Sequence, residues 1–143
     1  VAGNTPYRGI NGIFESNRGD WVYGDKQNTN IGVLDNTVFT HYGDMVEWLL
    51  YTPLIRFENR SISRIEIETI PGHTVSDDAK VGISLTYNGF TYGKEWFIQY
   101  GEPLDYGKRF IANRIGGYVR DWVGIKLRGA TTSRMSFATV EIN

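Results

Sequence analysis

Two histidines and a scatter of carboxylates are the side chains of this 143-residue chain with a claim to proton-transfer or metal chemistry. His41 lies in Thr40-His41-Tyr42-Gly43 and His73 in Pro71-Gly72-His73-Thr74. Turn-forming neighbours surround both. Neither has a second histidine spaced so that two imidazoles could meet one ion, so both are expected on loops. Asp77-Asp78 is an acidic pair, but adjacent residues of an extended chain point to opposite faces and no Asp-x-Asp-x-Asp-Gly loop follows. Solvated turn carboxylates are expected there. Arg114-Ile115-Gly116-Gly117 sets glycines beside a cation, yet no helical periodicity follows and no Gly-Lys-Ser/Thr occurs. A phosphate cradle needs its amide-lined turn to open onto a helix N-terminus. With no cysteine, disulfides and thiolate metal sites are excluded. The sequence therefore predicts no catalytic residue, no metal site and no cofactor site.

Binding chemistry has more support. Residues 108–129, KRFIANRIGGYVRDWVGIKLRG, interleave six cations with large apolar and aromatic residues. Read as a strand, its last part puts Val123, Ile125 and Leu127 on one face and Trp122, Gly124, Lys126 and Arg128 on the other. A tryptophan on a basic face stacks under arginines or anchors an interface, where Trp and Arg are enriched. Single-stranded nucleic acid also uses interleaved cations and rings. One such strand in a chain of net charge -1 is a small footprint, and it gives no support for sequence-specific nucleic-acid binding. Trp48 and Trp96 fall in register with Val46 and Leu50 and with Ile98 and Tyr100, and are expected in the core. Exposed rings on a sheet can also stack on sugars, so a carbohydrate-binding module is the alternative reading. Arg18-Gly19-Asp20, an adhesion tripeptide, and the sequon Asn59-Arg60-Ser61 are too short to carry weight.

These side chains must be held by strands. No window keeps apolar residues at helical spacing, while alternation is clear in Val81, Ile83 and Leu85 and in Ile65 and Ile67 between Arg64, Glu66 and Glu68. Asn88-Gly89 predicts a two-residue turn from the first of these into Phe90-Thr91-Tyr92, because both turn positions need positive φ. Further strands are expected at Val46–Thr52, Leu54–Glu58, Trp96–Tyr100 and Arg134–Ile142. The result is an all-β chain, an antiparallel β-sandwich of roughly eight to ten strands, spanning residues 38–143. Residues 1–37, rich in Asn, Gly and Asp, show strands only at Trp21–Tyr23 and Ile31–Leu34. They predict a loop-rich hairpin arm or the end of a preceding domain.

Forty-one per cent apolar and 22% charged residues describe a packed domain, and no stretch approaches the roughly 20 apolar residues of a membrane helix. No membrane contact is expected. Charge is uneven: residues 1–100 carry 12 acidic and 8 basic side chains, residues 101–143 carry 4 and 7. Surfaces of opposite sign suit docking between copies or onto partners.

Three segments, Tyr51-Thr52-Pro53-Leu54 running into a strand that ends at Gly72, Gly89 to Tyr106 with Glu95-Trp96, and Arg114-Ile115-Gly116 with Arg120 and Trp122-Val123, carry a family resemblance. The chain resembles the carboxy-terminal β-sandwich region of the packaged DNA stabilisation proteins, the tail accessory or hub proteins of short-tailed bacteriophages. Trp21-Val22-Tyr23-Gly24-Asp25 and Ile31-Gly32-Val33-Leu34-Asp35 look like the hairpin that precedes this region. Ala112 and Gly129-Ala130-Thr131 depart from the pattern, which has an aromatic and a proline turn there. The resemblance implies a fragment of a longer structural virion protein of the phage tail. That protein would form a ring of its own copies on the portal side, close the channel on packaged DNA, and hold a tail needle and tailspikes. The residues expected to face those partners are Arg114, Arg120, Trp122, Lys126 and Arg128, with the hairpin tip at Asn88 and Gly89.

Overall fold

The structure is a computed structural model that describes residues 7–70, 72, 74, 79–130 and 133–143. His73, Asp77 and Asp78 lie outside the described residues. The chain runs through β1 (Gly9–Glu15), β2 (Asp20–Asp25), β3 (Ile31–Val33), β4 (Thr40–His41), β5 (Asp44–Met45), β6 (Glu47–Tyr51), β7 (Ile55–Arg56) and β8 (Arg60–Ser61). It continues through β9 (Arg64–Thr69), β10 (Lys80–Thr86), β11 (Trp96–Gln99), β12 (Phe110–Asn113), β13 (Tyr118–Val119), β14 (Trp122–Ala130) and β15 (Phe137–Ile142). All ladders among the described residues are antiparallel.

Two sheets face each other across one core. The first has the order β11-β10-β14-β6, with β7 also on β14; the second has the order β12-β9-β15. Alternation decides which side chains enter. In β9 Ile65 and Ile67 are buried between the partly covered Arg64 and Glu66, and in β14 Val123, Ile125 and Leu127 are buried. Val81, Ile83 and Leu85 of β10 and Phe110 and Ala112 of β12 complete the cluster. Pairing of Ala112 with Ile65 explains the small residue there: it lies in the buried row between the sheets, where an aromatic ring would need space the core does not leave. Gly129 has a similar reason, because a Cβ on it would come within 2.5 Å of the Trp48 ring across the β14-β6 pair.

Several expectations need correction. The basic run 108–129 is three strands in different ladders, β12, β13 and β14, because Gly116-Gly117 and Asp121 break it and Phe110–Asn113 joins the opposite sheet. The hairpin after β10 is real, but its return strand is Trp96–Gln99, with Ile83 opposite Trp96; Phe90-Thr91-Tyr92 belongs to the connecting loop. Asn88 does not adopt positive φ; its side-chain oxygen accepts from the amides of Phe90 and Thr91, closing a wider turn. The two-residue turn with both positions at positive φ is Tyr42-Gly43, at 51° and 88°, between β4 and β5. Trp96 faces the core side but sits on the outer strand and stays 37% exposed, with Lys94 Nζ 4.1 Å from its ring centre. Of Leu54–Glu58 only Ile55–Arg56 is a strand.

The arm is a sheet of its own, β1-β2-β3, and β1 is a strand that alternation did not reveal. A bulge between Ile10 and Ile13 interrupts its period of two. The arm is joined to the β4-β5 hairpin by Arg8, a buried side chain whose guanidinium holds Asp25 and Asp44.

Candidate functional site

Five of the seven expected partner-facing residues lie on loops and strand ends at one end of the sandwich, with Trp122 at the first position of β14. Trp122 opens β14 opposite Arg56, and Val123 lies opposite Ile55. The Phe57 amide donates to the Asp121 carbonyl and the Asn59 amide to the Arg120 carbonyl, tying the 52–63 connection to the 113–121 loop. The β8-β13 pair extends the same seam, with Tyr118 Oη donating to Asn59 Oδ1 at 3.0 Å. Arg114, just past the end of β12, has φ 58° and its amide donates to the Ser63 carbonyl. The Asn88-Gly89 loop arrives from the other side: the Gly117 amide donates to Tyr87 Oη at 3.3 Å, and Leu54 lies against Gly89 and Gly124.

This loop end is apolar and basic together. Trp122 is 46% exposed and Phe90 90%, with Leu54, Ile55, Tyr87 and Tyr118 also open to solvent. Arg114 and Arg120 are exposed, and no carboxylate pairs with either among the described residues. Arg60, which alternation did not single out, lies over Phe57 at 5.8 Å from the ring. An exposed tryptophan on the same loop end as two exposed arginines without a carboxylate partner brings together the two residue types that most often anchor protein contacts. No sequence signal marks this convergence, since it depends on which loops the sheet order brings side by side.

Lys126 and Arg128 lie elsewhere, on the outer face of the first sheet. Arg128 Nε and Nη2 donate to Glu95 at 3.0 and 2.6 Å, and Nη1 donates to Glu47 at 2.8 Å. Hydrogen bonding to Glu95 raises its pKa, partly opposed by burial and helped by Glu47, so it stays charged. Its charge is met inside the chain, by Glu95 just before β11 and Glu47 at the start of β6. Lys126 Nζ lies 5.4 Å from the Tyr92 ring, which in turn packs edge-on to Tyr51. Two further cations of the basic run are paired, Lys108 with Glu102 and Arg109 with Glu66. Replacing Arg128 by methionine is expected to cost about 1.5–3 kcal/mol in urea unfolding, the worth of hydrogen bonds to charged groups. Arg120→Ala should stay within about 0.5 kcal/mol of wild type, as an exposed side chain without a partner does. Equal losses in the two would contradict the division between clamp and free cation.

His41, expected on a loop, closes β4 opposite Asp44 at the tight Tyr42-Gly43 turn; it is half-buried, its ring edge-on to Tyr7, and its Nδ1 has no hydrogen-bond partner. No group of three or more His, Cys, Asp or Glu side chains converges to hold a metal among the described residues.

The comparisons agree with this architecture. Residues 47–143 match the family described as Bacteriophage P22 Gp10, beta-sandwich. The tail hub protein gp10 of Salmonella phage P22 is 32% identical over 136 residues, which is 95% of this chain and 28% of that protein. The chain thus spans little more than a quarter of that relative's length. By sequence match and by the two facing sheets that residues 47–143 build, the chain belongs to the phage P22 Gp10 β-sandwich family.

Proposed function

We propose that this chain is a non-catalytic structural domain of a phage tail hub, located in the virion tail, whose loop end docks onto other virion components. The observation that carries the reading is the family match over residues 47–143, together with an alignment to a tail hub protein along nearly the whole chain. The finer proposal is that the longer protein forms a ring of its own copies on the portal side, closes the channel on packaged DNA, and gives attachment to a needle and tailspikes. Rings of identical subunits need heterologous contacts, in which one surface meets a different one on the neighbour. The loop end suits such a role: Trp122 supplies the anchor, Arg114 and Arg120 supply charge for an acidic counterpart, and the Asn88-Gly89 loop supplies the rim. Further along β14, Arg128 braces the outer face of the sheet through Glu95 and Glu47.

The test is assembly. In the full-length parent, Trp122→Ala with Arg120→Ala is expected to lower addition to portal-bearing heads by at least about tenfold, as loss of a contact hot spot does. Unchanged assembly would remove the loop end from the interface. Glycan binding that vanishes with Trp122→Ala would replace docking by sugar recognition, the reading that the exposed rings also allow.

A further inference from the structure

Asparagine followed by glycine is prone to deamidation, because no Cβ shields the glycine amide from the asparagine side chain. The chain has two such pairs, Asn11-Gly12 in β1 and Asn88-Gly89 after β10. Asn88 is held. Its Oδ1 accepts from the Phe90 and Thr91 amides, each at 2.9 Å, and its Nδ2 donates to Thr91 Oγ1 at 2.9 Å. The nitrogen that would attack it is held as well, since the Gly89 amide donates at 2.9 Å to the hydroxyl of the buried Thr86. Reaction there requires the turn to come apart.

Asn11 is the opposite case. It is exposed, and its side chain makes no hydrogen bond among the described residues. With Gly12 it also falls outside the β1-β2 ladder, whose register passes from Ile10 opposite Gly24 to Ile13 opposite Val22. The fold nevertheless requires this pair. Asn11 has φ 52°, a left-handed conformation that asparagine adopts more readily than most residues. A Cβ on Gly12 would run into the Tyr23 ring. The bulge that the two residues form sets Ile10 and Ile13 on the same side of the sheet, since residues three apart on a regular strand point opposite ways. A dipeptide needed for its shape is here also the one left chemically unprotected.

We propose that Asn11-Gly12 is a site of spontaneous deamidation and that the fold spares Asn88-Gly89. The Gly12 amide gives its proton to hydroxide, and its nitrogen attacks Asn11 Cγ. That C–N bond forms, the Cγ–Nδ2 bond breaks, and Nδ2 leaves as ammonia after taking a proton from water. Water then adds to either carbonyl of the cyclic imide and opens it, to aspartate or to isoaspartate. Both products put a new carboxylate on the arm. Isoaspartate also routes the main chain through Cβ, which lengthens β1 by a methylene at the bulge that aligns Ile10 with Ile13. The reaction does not depend on the loop end or on its docking role.

Incubation of the 143-residue chain in mildly alkaline buffer, followed by trypsin and mass spectrometry, tests this. Cleavage after Arg8, Arg18, Lys80 and Lys94 puts the two sites on separate peptides, residues 9–18 and 81–94. Fragment ions distinguish Asn11 from Asn17 on the first of these. In the folded chain, conversion at Asn11 should run at least about tenfold faster than at Asn88, because opening the Asn88 turn breaks several hydrogen bonds. In guanidinium chloride, where neither turn persists, the two rates should converge. No conversion at Asn11, or one no faster than at Asn88 in the folded chain, overturns the proposal. So does a difference that persists undiminished in denaturant, which would assign it to local sequence rather than to the fold.

Discussion

Replacing Tyr100 by alanine is expected to cost roughly 3–5 kcal/mol, the range for deleting a large buried aromatic ring. Set against the 5–15 kcal/mol that a domain has in total, that leaves this one marginal or unfolded at physiological temperature. The side chain has no exposed surface. Its ring packs edge-on to Phe137 of β15 at 5.5 Å and against Phe110 of β12 at 6.2 Å, while its own amide donates to the Ala79 carbonyl beside β10. One residue therefore ties the first sheet to both edges of the second. Its hydroxyl is used as well: Oη lies 3.0 Å from the Ser136 carbonyl and 3.2 Å from that of Ile70, and it accepts from the Ser136 amide at 2.8 Å. Tyr100→Phe keeps the ring and should lose only about 0.5–1.5 kcal/mol.

The pH dependence separates the two contributions. Burial raises the Tyr100 pKa above its ordinary 10.0, although the Ser136 and Ile70 hydrogen bonds lower it in part. The unfolded chain gives up this proton first. The stability that the neutral phenol contributes is therefore complete below about pH 10 and is lost as pH rises through the folded-state value. Urea titrations of wild type above pH 10 should show this extra loss, and Tyr100→Phe should lack it. If both fall equally with pH, the hydroxyl is not sequestered as described.

Period-two alternation was legible wherever a strand has one face in the core and one face out. Ile65 and Ile67 in β9 and the triplet Val123, Ile125 and Leu127 in β14 needed no structure to assign. What could not be read is set by pairing between distant segments. Arg128 looked free on a basic face because Glu95 and Glu47 are 33 and 81 residues away in sequence. The turn at Asn88-Gly89 has the sequence of a tight hairpin, yet the Asn88 side chain bonds to the loop backbone instead, and the tight turn formed at Tyr42-Gly43. There the strain of a tyrosine at positive φ is offset by the hydrogen bond from its hydroxyl to Tyr23 and by the Arg8 guanidinium over its ring at 5.2 Å. The loop end was half visible: Trp122 and Arg120 could be picked by type, but Arg60, Tyr118 and Leu54 join them only because β7 and β8 pair with β14 and β13.

The Arg8 clamp was not visible at all, and the largest local effect is expected there. Arg8 Nε donates to Asp25 Oδ1 at 3.0 Å, its Nη2 donates to the other Asp25 oxygen, and its Nη1 reaches Asp44 on the β4-β5 hairpin. The Gln27 amide also donates to Asp25, at 3.0 Å. Both Arg8 and Asp25 are buried, so Asp25→Ala leaves a guanidinium in a site built for a pair, the costly way to break a buried ion pair. Amide exchange in residues 9–33 should then quicken by about ten- to a hundredfold, while core amides of β9 and β14 keep wild-type protection. Acid should do the same to wild type. Hydrogen bonding from Arg8 holds the Asp25 carboxyl at about 2, below its ordinary 3.8, against the burial that would raise it. A depressed folded value means that the stabilisation is present above about pH 4 and is lost as pH falls through about 2. Replacing both partners at once, Arg8→Met with Asp25→Leu, removes the charges but fills the space, so the arm should keep its protection at neutral pH and no longer loosen in acid. An arm that unravels in this double variant at neutral pH would mean that the ion pair itself, rather than the packing around it, holds the sheet in place.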